Sequence, residues 1–156
     1  MKKVFYRFLS MTLVFSLFFL ASSFLSGCQT NHLEGLDGTW FLNDNSVFVI
    51  RDNEFYWYES NTNPNDNFYY GDNLKVLYGE EAVDAIKVPS SNREELLKTH
   101  IYHLSVVYTQ YHLNGEDLSN QLTGDVNEFA IQIATKDRLN IMHLNTNLSY
   151  TAYRSA

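Results

Sequence analysis

The stretch Val47-Phe48-Val49-Ile50-Arg51-Asp52-Asn53-Glu54-Phe55-Tyr56-Trp57-Tyr58-Glu59 decides the fold. Two runs of β-branched and aromatic residues flank an Asp-Asn pair, the pattern of a hairpin. The second run is bounded by charge at both ends. Side chains alternate along a strand, so Phe55 and Trp57 share one face and Tyr56 and Tyr58 the other. Upstream, Trp40-Phe41-Leu42 starts the first strand and Asn43-Asp44-Asn45-Ser46 turns the chain. Downstream, Asn61-Thr62-Asn63-Pro64-Asn65-Asp66-Asn67 reads as a loop, since Pro and Asn suit turns and disfavour a ladder. Phe68 to Tyr78 returns as a strand with Leu74, Val76 and Tyr78 on one face and Gly71 as the place for a break.

The period changes after Gly79. Ala82, Val83 and Ile86 form a helical stripe, with Glu80 and Glu81 at its front and Lys87 at its back to complement the helix dipole. Pro89 stops it. Ser91-Asn92-Arg93-Glu94 fits a capping box for a second short helix through Lys98, docked by Leu96 and Leu97. Strands are then expected over Ile101 to His112, Asn127 to Thr135, Arg138 to Leu144 and Leu148 to Arg154. Asn114-Gly115 and Lys136-Asp137 are their turns. Phe129, Ile131 and Ile133 alternate with Glu128, Ala130 and Gln132, so one face is buried. About eight antiparallel strands with a helical insertion near residues 80–99 are expected to form a barrel, with a sandwich as the alternative.

The N-terminus has a different composition. Lys2, Lys3 and Arg7 precede an almost uncharged apolar run from Phe8 to Leu25. A positive head, an apolar middle and small residues at the end mark an export signal. That run, about 18 residues, is at the short edge of what spans a bilayer, so an uncleaved membrane helix is the competing reading. Leu25-Ser26-Gly27-Cys28 resembles the lipobox of a bacterial lipoprotein signal peptide. The resemblance implies a signal over 1–27, cleavage before Cys28 and a diacylglyceryl group on its sulfur. Residues 28–36 then form the lipidated cysteine and a short spacer, and 37–156 the β-barrel domain. The expected location is the extracytoplasmic face of the cell membrane, with the membrane itself as partner. Two acyl chains hold firmly where one is marginal.

Removing the first 27 of 156 residues leaves 129, with eight basic and eighteen acidic residues and a net charge of −10. Such a surface argues against nucleic acid and anionic headgroups. Cys28 is the sole cysteine, so its acylation leaves no thiol for a disulfide, a nucleophile or a thiolate metal site. About 129 residues suffice for one packed core.

Leu36-Asp37-Gly38-Thr39-Trp40 resembles the Gly-x-Trp opening of lipocalin-like (calycin-type) domains. The resemblance implies that Trp40, after Gly38, plugs one end of a barrel and that an Arg from the far end of the chain packs across it. Arg154 takes that part. Lys75-Val76-Leu77-Tyr78-Gly79-Glu80-Glu81-Ala82-Val83-Asp84 is similar to a segment of small anchored proteins of Gram-positive bacteria.

Catalytic chemistry finds little support. His100 and His103 are three apart, on opposite faces of a strand, and His112 is remote, so no metal or cofactor is expected. Glu80/Glu81, Glu94/Glu95 and Glu116/Asp117 are adjacent pairs rather than acids facing across a cleft. There is no Gly-x-Ser-x-Gly elbow. The Asn61–Asn67 loop offers oxygen ligands but lacks the calcium-loop order. No enzyme is expected. The aromatic residues carry the functional hint, because rings with polar tips line pockets as well as cores. Phe55, Trp57, Tyr78 and Tyr108 are the candidate ligand-binding residues. The leading expectation is a small apolar or amphipathic ligand bound at the cell surface. The alternative is a solid-cored lipoprotein that meets another envelope protein.

Overall fold

Alternation of apolar and polar residues becomes the inside and outside of a single curled sheet. The computed structural model describes Leu33, residues 35–60 and residues 66–154. The expected signal over 1–27, the expected lipid attachment at Cys28 and residues 61–65 of the Asn-rich loop lie outside the described residues. The elements are β1 (Gly38–Leu42), β2 (Val47–Arg51), β3 (Glu54–Tyr58), β4 (Phe68–Gly71), β5 (Lys75–Tyr78), α1 (Glu80–Ile86), α2 (Ser90–Leu96), β6 (His100–Val107), β7 (Gln110–Leu113), β8 (Glu116–Asp117), β9 (Val126–Thr135), β10 (Arg138–His143) and β11 (Leu148–Arg154).

The eleven strands form an antiparallel half-barrel in the order β5-β6-β9-β10-β11-β1-β2-β3-β4-β7-β8. Eleven replace the eight expected because two long runs break and the two-residue β8 is added. Phe68–Tyr78 divides at residues 72–74, and the strand expected from Ile101 to His112 divides at Tyr108-Thr109. The second break has a purpose in the curl. It carries the chain from β6, paired with β9, to β7, paired with β4 on the other arm of the sheet. The Thr109 amide donates to the Tyr70 carbonyl at 2.8 Å at the crossing. Backbones approach so closely there that only Gly71 fits. A Cβ on it would lie 2.4 Å from Val106 Cγ2 and 2.6 Å from the Val107 carbonyl oxygen.

The concave face holds the main core: Trp40, Phe48, Ile50, Phe55, Leu104, Phe129, Ile131 and Leu139 are all almost fully buried. A smaller cluster lies on the convex side, where Ala82 and Val83 of α1 pack on Ile101 with Ile86 and Leu96 alongside. Leu96 docks α2 as expected, but Leu97 is exposed. The capping box does not form: Pro89 occupies the N-cap with no side-chain bond, and Ser91 donates to Asn92 instead. Proline's fixed φ starts the helix two residues early, so Ser91 falls inside it. Arg93 ties α2 to α1 through Asp84, and through Glu80 at 3.4 Å. No helix among the described residues is long and apolar enough to cross a membrane.

The first and last strands meet at Trp40 and Arg154, which are register partners. The Arg154 guanidinium lies 4.6 Å from the centre of the Trp40 ring. Its Nη2 donates to the carbonyls of Gly35 and Asp37, both at 3.1 Å. The Trp40 indole donates to the Leu36 carbonyl at 2.8 Å. Gly38 has φ +129°, a region that side chains rarely adopt, and a Cβ there would sit 4.0 Å from the guanidinium.

Two substitutions test this frame. Gly71→Ala should lower stability by about 1–3 kcal/mol through overpacking, read as a reduced urea midpoint. Arg154→Met keeps length but removes charge-assisted bonds, and should cost about 1–3 kcal/mol in the same assay.

Candidate functional site

The inward aromatic residues do not all enter the core. Phe55 is fully buried, and its ring stacks between Trp57 at 6.5 Å and Tyr108 at 6.3 Å. Two residues further along β3, Trp57 is the register partner of Phe48, near the strand end that leads into residues 59–67. There it stacks on Phe129 of β9 at 5.8 Å and meets Tyr150 of β11 edge-on at 5.4 Å. Phe129 lies against His143 of β10, its register partner, with ring centres 4.6 Å apart. Tyr69 of β4 is the register partner of Trp57 and leans on Tyr108 at 5.0 Å. With Asn127, these residues line a recess of about 280 Å³.

Every lining side chain is an aromatic ring except Asn127. The recess is therefore apolar in body with a few polar tips, the chemistry of a small-molecule site. Burial raises the Tyr108 phenol well above its ordinary range, helped by Tyr69 and Tyr150. Burial also raises Tyr69, with a bond to Tyr111 and the Glu59 carboxylate adding to it. Tyr150 is raised by burial and then by the Asp44 carboxylate. All three hydroxyls stay protonated at neutral pH. Burial lowers the His143 imidazole below its ordinary value, and its Nε2 is shut from solvent with no hydrogen-bond partner. The ring as a whole is half-buried.

Of the four residues expected to bind ligand, Trp57 and Tyr108 line the recess and Phe55 supports them from below. Tyr78 lies on β5, where it packs on Tyr102 at 4.8 Å and bonds His100 Nδ1 at 3.1 Å. Edge strand β5 borders β6 alone, which keeps Tyr78 out of the group. Tyr69, Asn127, Phe129, His143 and Tyr150 were absent from the expected set. Each belongs to a strand end on the Trp57 side, a fact that only the pairing register reveals.

A wider groove of about 380 Å³ runs along the convex face beside α2, lined by groups such as Asn43, Gln132, Asn140, Ser149 and Thr151. It is more open and lined largely by polar groups, so the aromatic recess is the better candidate for an amphipathic molecule. The convex face of β3, β4 and β7 carries a second ring cluster. Tyr58 meets Phe68 at 6.0 Å, Phe68 meets His112 at 4.6 Å, and Tyr56 meets Tyr70 at 4.7 Å. Glu54 accepts from the Tyr70 hydroxyl at 3.1 Å.

His100 is exposed, while His103 is buried with its Nε2 3.2 Å from Glu128. Among the described residues no group of three or more His, Cys, Asp or Glu could hold a metal ion. No protein-family model matches the chain, and no curated protein or solved structure matches it.

The buried imidazole links the recess to pH. The unfolded chain takes up a proton at the ordinary histidine value of 6.5 and the folded chain only lower down. Stability should therefore fall as pH drops from that value toward the folded one, and the loss is complete below both. His143→Phe should flatten this part of a urea-midpoint profile. An unchanged acid slope in the variant would contradict the assignment.

Proposed function

We propose that this chain is an extracytoplasmic lipoprotein that binds a small amphipathic molecule in the recess between Trp57, Phe129 and Tyr150. The observation that carries the reading is the recess itself. A solid core needs no polar tips, yet phenols, an indole and an imidazole converge there beside a fully packed interior. A lipocalin-like barrel suits the same geometry: with residues 68–78 and 100–113 each counted as one bent strand and the two-residue β8 set aside, eight strands surround the core. The Arg154–Trp40 stack would then close the far end and leave the recess as the mouth. Leu25-Ser26-Gly27-Cys28 supports attachment to the membrane.

Native mass spectrometry of the full chain, purified from cells that make it, should show a non-covalently bound small molecule. Bare protein in every preparation would sink the binding reading. The intact mass should also exceed that of the polypeptide starting at Cys28 by an acyl load, and an unmodified full-length chain would rule out the anchor.

A second reading has its own observation. The convex ladder of Tyr56, Tyr58, Phe68, Tyr70 and His112 is half-exposed. Aromatic patches of this kind suit a protein partner, and an envelope protein is the partner this reading requires.

A further inference from the structure

The two ends of the curled sheet differ in charge. Because consecutive strands are antiparallel, the connections at the recess end are 43–46, 59–60, 66–67, 114–125 and 144–147. They carry Asp44, Glu59, Asp66, Glu116, Asp117 and Asp125, and neither Lys nor Arg. The opposite end holds Arg51, Lys136, Arg138 and Arg154, which offset the acids Asp37, Asp52, Glu54 and Asp137 there. A chain of net charge −10 after residue 27 thus keeps its barrel-end cations away from the recess. Nothing that lines the recess is anionic or cationic at neutral pH, His143 being held neutral by burial.

Ring faces present negative charge density and attract cations, most strongly where water is excluded. Trp57, backed by its stack on Phe129, and Tyr150 meet at 67°, so two half-buried rings border the recess from different directions. Outside these rings, the acidic connections would draw a positive solute inward. An anion would meet the reverse field and find no cationic partner. An uncharged ligand would make no use of the segregation.

We infer that the recess is a cage for a small organic cation, with an alkylated ammonium group seated against the half-buried rings of Trp57 and Tyr150, while buried Phe129 backs Trp57. This rests on the binding reading above and names its ligand class. The remaining polar tip, Asn127, would bond a hydroxyl or similar group on the same molecule.

Isothermal titration calorimetry of the full chain in a non-ionic detergent tests the inference. The probes are choline and its neutral isostere, in which a tert-butyl group replaces the trimethylammonium. Choline should bind about 10-fold tighter, the ratio expected of a partly desolvated cation–π contact. Trp57→Leu and Tyr150→Leu should each lower choline affinity several-fold and leave the isostere unchanged, with circular dichroism confirming that each variant folds. An isostere that binds as tightly as choline overturns the cation and leaves the pocket standing. If neither probe binds, the cation and the pocket both fall. Choline preference that survives in both leucine variants would put the cation elsewhere and overturns the inference.

Discussion

The sheet depends on the stack of Arg154 over Trp40. Strands β1 and β11 come from opposite ends of the described chain, and their pairing joins the arm built from residues 38–71 to the arm built from 126–154. Hydrogen bonds along a three-residue register could slip, because a ladder alone is indifferent to side chains. The guanidinium removes that freedom. It covers the indole and holds the carbonyls of Gly35 and Asp37, so it fixes the entry of the chain as well as its last strand. The Trp40 indole meanwhile bonds back to Leu36. Arg154 thus lies at the strand ends away from those that line the recess.

That asymmetry explains how one hairpin builds two surfaces. The alternation in β3 sends Phe55 and Trp57 inward and Tyr56 and Tyr58 outward. Inside, burial decreases along the strand: Phe55 is sealed and Trp57, nearer the open end, is half-buried. Outside, the tyrosines gain from stacking across strands, while their hydroxyls keep contact with water and Glu54. Tyrosine suits the convex face because its ring covers backbone without demanding full burial.

Much of this was legible in the primary structure, and the failures have physical causes. Strands β1, β3, β9, β10 and β11 follow from alternation because each buries mainly one face, and β2 from its run of β-branched and aromatic residues. The break at Tyr108-Thr109 was illegible, since both residues are good strand formers. It exists because the chain must leave one arm of the sheet for the other, a requirement of closure rather than of local preference. The capping-box pattern at Ser91 failed for a local reason, the proline two residues earlier. Of the recess, Trp57 and Tyr108 were recognisable as aromatic residues with polar tips. His143 and Tyr150 were not, because nothing local separates them from ordinary strand residues. Their importance comes from register, which brings His143 opposite Phe129 and Trp57 opposite Tyr69.

The free edges of the sheet show what the curl leaves unfinished. A curled sheet with two open margins invites pairing with another chain. Strand β8 limits this by length and charge: it has two residues, Glu116 and Asp117, both exposed. Strand β5 is four residues long and begins with exposed Lys75, and α1 follows it immediately and packs against it and β6. Short length, charge and a covering helix at β5 are the devices that blunt sheet edges. The acids of β8 serve twice over, since they also belong to the negative end that surrounds the recess. Edge protection by carboxylates and attraction of a positive solute therefore draw on the same side chains. A lysine at either β8 position would protect the edge equally well and would weaken the field.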